Sequence, residues 1–333
     1  MDTLPAPEIS VVIPTYRRPD LLQRCLAPLL KQTLDPQLYE IIVVDDGQTE
    51  DTRALVENLA AATQGRPRLS YLRPLGTRGP AAARNRGWRA ALGEVIAFTD
   101  DDTLPDEDWL RQGLRAMASI SGRVPMAVRG RVQVPVPPAM TDHAAMTKGL
   151  EQAEFVTANC FVRRSALEQV GGFDERFQRA WREDSDLHFK LLKAFGPIDK
   201  APMAMVQHPV REAPFGISVK QQANMMFDAL LFKKHPELYR DKVGRLRAPP
   251  LYYGIVLSTL AAPLLGMAGQ SQLALLMLAA AALMILWLTW VRLRGTSHSP
   301  GHVVEMLLTS AAIPFLSLYW RLAGAWRFRV PFF

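Results

Sequence analysis

The chain has 333 residues and a mass of 37.1 kDa, enough for one large domain or two ordinary ones. Hydrophobic residues make up 49 % of it and charged residues 21 %, which excludes a disordered or collagen-like protein. The two cysteines, Cys25 and Cys160, are far apart, which disfavours a disulfide-stapled secreted domain and a thiolate zinc site. The net charge of +7 is compatible with an anionic partner such as nucleic acid, lipid headgroups or a phosphorylated substrate.

Short apolar runs alternate with helical patterns through the first hundred residues. The predicted strands cover residues 9–14, 40–44, 69–72 and 95–99. The predicted helices begin at residue 19 and cover 52–62 and 81–92. Strands that alternate with helices predict a Rossmann-like α/β fold, with a mostly parallel sheet and helices on both faces. Ligands bind beyond the carboxyl ends of the strands in such sheets, and the polar clusters at 15–17, 45–46 and 100–102 fall there.

The acidic run AFTDDDTLPDEDW (97–109) is the most specific local pattern. Three consecutive carboxylates repel one another, and a bound divalent cation relieves the repulsion. Mg²⁺ or Mn²⁺ fits, because such ions are held by one or two carboxylates together with substrate phosphates. The alternative is a solvated acidic turn, in which Asp106, Glu107 and Asp108 cap the next helix.

Arginines precede this run in TRGPAAARNRGWRAALGE (77–94). A phosphate-bearing ligand needs guanidinium donors beside the metal, although most of these arginines fit a solvated helix face equally well. Asp46 is placed to accept a hydrogen bond from a base or ribose, or else is only a turn residue before Gly47.

Five segments, in this order, resemble the family 2 nucleotide-sugar glycosyltransferases of the membrane-anchored bacterial type. They are VVIPTYRR (11–18), VVDDGQTEDT (43–52), RGPAAARNRGWRAALGEVIAFTDDD (78–102), NCFVRRSALEQVGGFDERF (159–177) and REDSDLHFKLLKAFG (182–196). The resemblance covers about residues 9–210 and implies a GT-A fold. One departure is Arg17, which stands where the family often has an Asn.

The resemblance also implies a role for each matching residue. Asp184 would deprotonate the acceptor hydroxyl, opposite the leaving diphosphate as in-line attack with inversion requires, although the start of a helix also suits a plain cap. The residues that would contact the substrates are Pro14, Thr15, Tyr16, Asp46, Arg84, Asp100, Asp101, Trp181 and Glu183. The metal ligands would be Asp100, Asp102 and His208. Trp181 fits sugar stacking or core packing, and a lone loop histidine such as His208 is often structural.

The segment from residue 251 to 291 contains no Asp, Glu, Lys, Arg or His. One spanning helix needs about 20 apolar residues, so the segment predicts two, at about 251–268 and 272–291, joined by the turn GMAGQSQ (266–272). Cations lie before and after the pair and none lies in the turn, which places both ends in the cytoplasm. These flanking cations are Lys242, Arg245, Arg247, Arg292 and Arg294.

A third apolar stretch, 303–320, contains Glu305 and Pro314 and continues into WRLAGAWRFR. Arginines mixed with tryptophans are typical of a helix lying in the membrane interface. Residues 217–235 are predicted either to lie amphipathically in that interface or to pack against the sheet. The first ten residues, MDTLPAPEIS, lack the pattern of a signal peptide, so we expect the first 250 residues to stay in the cytosol.

The sequence therefore predicts four parts: a GT-A domain (1–215), a helical connection (216–250), two transmembrane helices (251–292) and an interfacial helix (303–333). The leading hypothesis is an inverting, metal-dependent glycosyltransferase on the cytoplasmic membrane, with its catalytic domain facing the cytoplasm. It would move a sugar from a nucleoside diphosphate sugar to a lipid-linked or envelope-glycan acceptor, with membrane lipids as partners. The alternative is a non-catalytic, membrane-bound nucleotide-binding scaffold. Nucleic acid is not expected as a partner, because no basic tract is interleaved with aromatics.

Overall fold

The computed structural model describes residues 6–118, 123–244 and 247–332. Arg245, one of the flanking cations, lies outside the described residues. The chain divides into a sheet unit, Met1–Pro135 with Gly149–Pro209, and a helical unit, Val136–Lys148 with Val210–Phe333. The second unit thus includes a short segment, residues 136–148, from within the predicted first domain.

Within its described residues, the sheet unit contains eight strands and six of the α-helices. The strands are β1 (Ile9–Thr15), β2 (Tyr39–Asp45), β3 (Arg68–Leu72), β4 (Val95–Phe98), β5 (Leu104–Pro105), β6 (Ala127–Gln133), β7 (Cys160–Arg163) and β8 (Asp199–Gln207). The helices α1 to α4 are Pro19–Leu29, Glu50–Ala62, Pro80–Ala90 and Trp109–Met117. Helix α5 (Asp142–Lys148) belongs to the helical unit, and α6 (Arg164–Val170) and α7 (Glu183–Phe195) return to the sheet unit.

The first four strands are parallel to one another, in the order β3-β2-β1-β4. Every residue of β1 and β2 is buried, which is why apolar residues follow one another without alternation over residues 11–14 and 41–44. The second half of the sheet is mixed: β7 is antiparallel to β4 and β6, whereas β8 is parallel to β6 and antiparallel to β5. The four predicted strands are confirmed to within one residue at each end.

Helix α3 lies close to β1 because small residues of the helix face the strand. Ala81 and Ala83 are fully buried there, and a Cβ added at Gly87 would lie 2.3 Å from Cγ1 of Val12. The close approach brings Arg84, on the same helix, into the protein interior beside the carboxyl end of β4.

The helical unit contains the remaining helices. They are α8 (Ile217–Gln221), α9 (Met225–Lys234), α10 (Pro236–Leu238), α11 (Pro250–Met267), α12 (Ser271–Leu293) and α13 (Pro300–Phe328). Among the described residues, α11, α12 and α13 are long and apolar enough to cross a membrane, which indicates membrane association. The predicted helical hairpin matches α11 and α12 closely.

Helix α9 is not an amphipathic surface helix. Six consecutive residues, 227 to 232, are buried, so the helix packs inside the helical unit on all sides. The interfacial alternative predicted for residues 217–235 is therefore wrong. Helix α9 packs against α13, where a Cβ added at Gly324 would lie 2.6 Å from the carbonyl oxygen of Met226.

Candidate functional site

The three aspartates after β4 point to three different partners. An oxygen of Asp100 accepts a hydrogen bond from Nη2 of Arg84 at 2.7 Å. Asp101 turns towards β1, where it accepts from the hydroxyl of Thr15 at 2.7 Å and pairs with Arg18 at 2.8 Å. Asp102 faces His208, with 3.6 Å between Oδ1 and Nε2. The run is therefore a junction of buried contacts and not a solvated turn.

Asp100, Asp102 and His208 form a cluster that fits a divalent cation. Each offers a ligand atom within 4.8 Å of those of the other two. The backbone of His208 is fixed by a hydrogen bond to the carbonyl of Gln133, while its Nδ1 has no hydrogen-bond partner among the described residues. Two carboxylates and one imidazole suit Mn²⁺, and Mg²⁺ is compatible with the carboxylates.

The electrostatics of Asp100 and Asp101 differ although the residues are adjacent. Burial raises the pKa of Asp100, but the charges of Arg84 and His208 outweigh it and hold that pKa below its ordinary value. For Asp101, burial dominates over the pairing with Arg18 and raises its pKa to about 6. Asp100 is therefore the readier of the two to act as an anionic ligand.

Arg84 connects the acidic run to α7. Its Nη1 donates to Oε1 of Glu183 at 3.0 Å, so the guanidinium bridges Asp100 and Glu183 while being almost completely buried itself. Burial raises the pKa of Glu183 to about 7, against the opposing charge of Arg84. The side chain of Arg84 is committed to these two carboxylates.

Asp184 lies in the first turn of α7, as predicted. Its Oδ1 accepts a hydrogen bond from the backbone N–H of Ser185 at 2.6 Å. Burial raises the pKa of Asp184, and the charge of Asp100 raises it further, whereas Ser185 and Arg84 lower it. Glu183, the residue before Asp184, is joined through Arg84 to Asp100, so the start of α7 lies beside the acidic run. A carboxylate whose pKa is raised by burial is the kind of group that serves as a general base.

Asp45 and Asp46 have separate roles. Asp45 is fully buried and holds the turn after β2, since it accepts from the backbone N–H groups of Gly47 and Thr49 and from the hydroxyl of Tyr71. Asp46 accepts from the N–H of Gly79, at the beginning of α3, and its other oxygen has no hydrogen-bond partner among the described residues.

The loop after β1 contacts both the turn after β2 and the acidic run. The carbonyl of Thr15 accepts from the N–H of Asp46 at 2.9 Å, and its hydroxyl is already bound to Asp101. Tyr16, which is 49 % exposed, and Arg17 are the exposed side chains of this loop. Arg17 stacks on the Tyr16 ring at 5.3 Å and has a left-handed backbone, with φ of 54°. Pro14 is a buried member of β1.

Trp181 is half-buried beside the start of α7. The guanidinium of Arg182 lies 4.8 Å from its ring centroid, and Arg182 has a left-handed backbone with φ of 73°. The indole Nε1 has no hydrogen-bond partner among the described residues, which is compatible with contact to a ligand.

Arg18 is a site residue to which the sequence pattern assigned no role. It lies within VVIPTYRR, but only the fold shows that its guanidinium meets the middle aspartate of a segment more than 80 positions away. The pattern in the sequence that could have indicated this role is a pair of arginines, Arg17 and Arg18, shortly after a buried strand. Asp108 is the opposite case: it stands at the N-cap of α4 yet makes no side-chain capping hydrogen bond, because it binds Arg111 and Thr33 instead.

Two family models match the chain. The model described as "Glycosyl transferase family 2" matches residues 10–171, and the one described as "Glycosyl transferase family group 2" matches residues 95–323. Together they cover both the sheet unit and most of the helical unit.

Characterised relatives bear the same kind of name. Glycosyltransferase AglE of Haloferax volcanii is 29 % identical over 227 residues, which are 65 % of this chain and 71 % of that protein. The pre-mycofactocin glycosyltransferase of Mycobacterium tuberculosis is 28 % identical over 218 residues, which are 61 % of this chain but 43 % of that longer protein.

Among solved structures, the mannosyltransferase PcManGT from Pyrobaculum calidifontis in complex with GDP-Man and Mn²⁺ is similar in fold. It superposes with a TM-score of 0.57 at 18 % identity, covering 97 % of this chain and 88 % of that one. At this identity the likeness confirms the predicted GT-A fold.

Proposed function

Since this chain belongs to glycosyl transferase family 2, we propose that it is a metal-dependent, inverting enzyme that transfers a sugar from a nucleoside diphosphate sugar to a lipid-linked or envelope-glycan acceptor. Sugar transfer from a nucleotide sugar is supported by the relatives. The observation that carries the finer proposal is the buried ion-pair cluster in which Arg84 joins Asp100 of the acidic run to Glu183, the first residue of α7.

Asp100, Asp102 and His208 are the residues that would hold the cation. A bound Mg²⁺ or Mn²⁺ would neutralise the negative charge that develops on the departing diphosphate. The similar mannosyltransferase was solved with GDP-Man and Mn²⁺, which supports this assignment. The imidazole of His208 favours Mn²⁺ over Mg²⁺.

The donor nucleoside would lie along the loop after β1 and the turn after β2. Tyr16 offers an exposed ring for stacking on the base, and the buried Asp46 oxygen that has no hydrogen-bond partner among the described residues offers an acceptor for a base or ribose donor. Pro14, Thr15 and Asp101 act indirectly in this proposal, because they shape and anchor the loop.

Asp184 would take the proton of the acceptor hydroxyl. Its burial-raised pKa and its position in the first turn of α7 suit a base that ionises in the cleft, and Glu183 is less suited because Arg84 already binds it. Attack by the acceptor oxygen opposite the departing diphosphate would invert the anomeric centre. Trp181, directly before this turn, would contact the sugar face.

The membrane location is part of the proposal. Cations before α11 and after α12 support a cytoplasmic location for both ends of the hairpin, so that the sheet unit would work in the cytoplasm at the membrane surface. A lipid-linked acceptor would be concentrated there, and this concentration supports that class of acceptor.

Calorimetry tests the metal dependence. We expect UDP, GDP or dTDP to bind the wild-type protein with Mn²⁺ and to bind at least tenfold more weakly with EDTA. The Asp102→Asn variant should lose this Mn²⁺ effect, whereas Asp51→Asn, an exposed aspartate on α2, should keep it. Nucleotide binding that is indifferent to Mn²⁺ would contradict the metal assignment, and no binding of any nucleotide would favour the scaffold alternative.

A further inference from the structure

The helical unit contains a cavity of about 380 Å³ that is built only from its own residues. This volume is within the range of small-molecule sites, roughly 300–1,000 Å³. Three stretches of the chain form its walls: residues 137–144, which lead into α5, residues 210–218, which follow β8 and enter α8, and residues 302–306 in the first turns of α13. In the chain, Arg211 of the second stretch comes only three positions after His208, the candidate metal ligand.

The walls of the cavity are tied together by hydrogen bonds. Arg292, at the end of α12, donates to Asp142 at 2.9 Å, to Ser218 at 3.1 Å, and to the hydroxyls of Thr309 and Ser310 on α13. The N–H of Gly216 donates to Oε1 of Glu305 at 2.7 Å. A network that joins four helices holds the cavity in one shape before any ligand arrives, as a binding site requires.

Two imidazoles line the cavity with unused hydrogen-bonding capacity. His302 is more than nine-tenths buried, and its Nε2 has no hydrogen-bond partner among the described residues. Nδ1 of His143 also has no hydrogen-bond partner among the described residues. Burial and the nearby charge of Arg211 lower the pKa of His143. A neutral imidazole offers one donor and one acceptor, which matches a hydroxyl group.

The charges of the lining argue against a phosphate. Three carboxylates, of Asp142, Glu212 and Glu305, lie on the lining with the guanidinium of Arg211, and Arg292 pairs with Asp142, so three negative charges face two positive ones. An anion placed among them would be repelled, whereas hydroxyl groups would donate charge-assisted hydrogen bonds to the carboxylates. Apolar side chains such as Ile217 and Met306 complete the lining and suit the C–H faces of a sugar ring.

We propose that this cavity binds a hydroxylated sugar ring of the acceptor substrate. The identification of this ligand as the acceptor rests on the proposed glycosyl transfer. The binding of a sugar ring in the cavity does not depend on the catalytic site. The shared chemistry is the sugar ring, which either a lipid-linked glycan or a soluble glycan supplies.

Saturation-transfer NMR on the full chain in lipid nanodiscs tests the proposal. The probes are methyl α-D-mannoside, methyl β-D-glucoside, methyl β-D-galactoside, octyl β-D-glucoside and farnesyl phosphate. We expect at least one hexoside to bind. Stronger binding of the octyl than of the methyl glucoside would point to a lipid-linked glycan, and equal binding to a soluble one.

Two variants locate the binding. Ala213→Trp places an indole at the exposed edge of the cavity and should abolish the hexoside signal. His302→Phe keeps an aromatic ring but loses a hydrogen bond, and it should weaken binding about three- to tenfold. Ala61→Trp, at an exposed position of α2, is the matched control and should bind as the wild type does.

Hexoside binding that is unchanged in Ala213→Trp would overturn the proposal, as would farnesyl phosphate being the only probe that responds to the variants. Mn²⁺-dependent nucleotide binding is measured on the same samples. If no hexoside binds while nucleotide binding is intact, the cavity inference fails alone. If nucleotide binding is absent while Ala213→Trp still abolishes hexoside binding, the proposed function fails and the sugar site stands.

Discussion

Arg84 is the residue on which the geometry of the cleft depends most. It brings a carboxylate from the end of β4 and one from the start of α7 to the same guanidinium, although Asp100 and Glu183 are 83 positions apart in the chain. A buried guanidinium is tolerated only when its charge is paired, and here both partners are carboxylates. The two halves of the site are therefore held together by one side chain.

Replacing Asp184 tests the proposed base. Asp184→Asn keeps the size of the side chain but cannot accept the acceptor proton, so we expect turnover to fall by roughly 10²–10⁴-fold. Transfer from labelled nucleotide sugars measures this, with Asp51→Asn as the matched control at an exposed position. Nucleotide binding should change little. Undiminished turnover in Asp184→Asn would rule out this residue as the base.

The raised pKa of Asp101 predicts that the stability of the protein depends on pH. Burial raises its pKa from 3.8 in the unfolded chain to about 6 in the folded one, so the folded state holds an extra proton between these values. Its contribution to stability is therefore greatest below pH 4 and declines as the pH rises to 6, by roughly 1–3 kcal/mol in total.

Thermal unfolding of Asp101→Asn in EDTA checks this sign. The variant lacks the titration, so its Tm relative to wild type should rise between pH 4.5 and pH 6.5. The exposed Asp51→Asn variant should show a constant difference from wild type over the same range. A constant difference for Asp101→Asn as well would contradict the assigned pKa.

At the scale of elements, the close packing of α3 on β1 determines where Arg84 lies. Ala81, Ala83 and Gly87 form the inner face of the helix, and larger side chains there would lift it from the sheet. The start of the helix is equally restricted: Gly79 has φ of 106°, and a Cβ there would lie 2.8 Å from the carbonyl oxygen of Gln178. The same residue donates its N–H to Asp46.

Gly87→Ala is expected to destabilise the protein in spite of the better helix propensity of alanine. The added Cβ would lie 2.3 Å from Val12, and such overpacking costs about 1–3 kcal/mol, against a propensity gain of up to about 1 kcal/mol. Thermal unfolding should show a lower Tm, and Mn²⁺-dependent nucleotide binding should weaken because Arg84 moves with the helix.

Gly149→Ala is the control for this prediction, because nothing lies within 4 Å of the added Cβ and the backbone is not left-handed. A Gly87→Ala variant as stable as this control would show that β1 accommodates the added Cβ without loss of stability. The proposed link between the packing of α3 and the site would then be wrong.

At the scale of the whole molecule, α13 has its polar residues on the inside. His302, Thr309, Ser310, Ser317 and Arg321 belong to its buried stripe. The outer face is apolar and aromatic, with large exposed side chains that include Val304, Leu307, Leu308, Tyr319, Leu322 and Trp326. An apolar outer face is suited to lipid, whether the helix spans the membrane or lies in its interface.

Cysteine labelling distinguishes these arrangements, since both native cysteines are buried. We expect Gln270→Cys, in the turn between α11 and α12, to react with a membrane-impermeant maleimide in intact cells. Ser299→Cys, before α13, should react only after permeabilisation. Arg327→Cys should behave like Ser299→Cys if α13 lies in the interface, and like Gln270→Cys if it spans. Labelling of Ser299→Cys in intact cells would reverse the proposed orientation.

The sequence by itself determined the elements whose signal is local. The strands β1 and β2 are buried on both faces and so contain unbroken apolar runs, and the hairpin of α11 and α12 is uncharged over 41 positions. The acidic run and its likeness to a glycosyltransferase family were visible for the same reason. Only the tertiary structure decided which side chains meet, such as Arg18 with Asp101 and Arg84 with Glu183. It also decided that α5 and α13, which begin 158 positions apart, line one cavity. Such contacts depend on packing between distant segments, which leaves no periodic pattern in either segment alone.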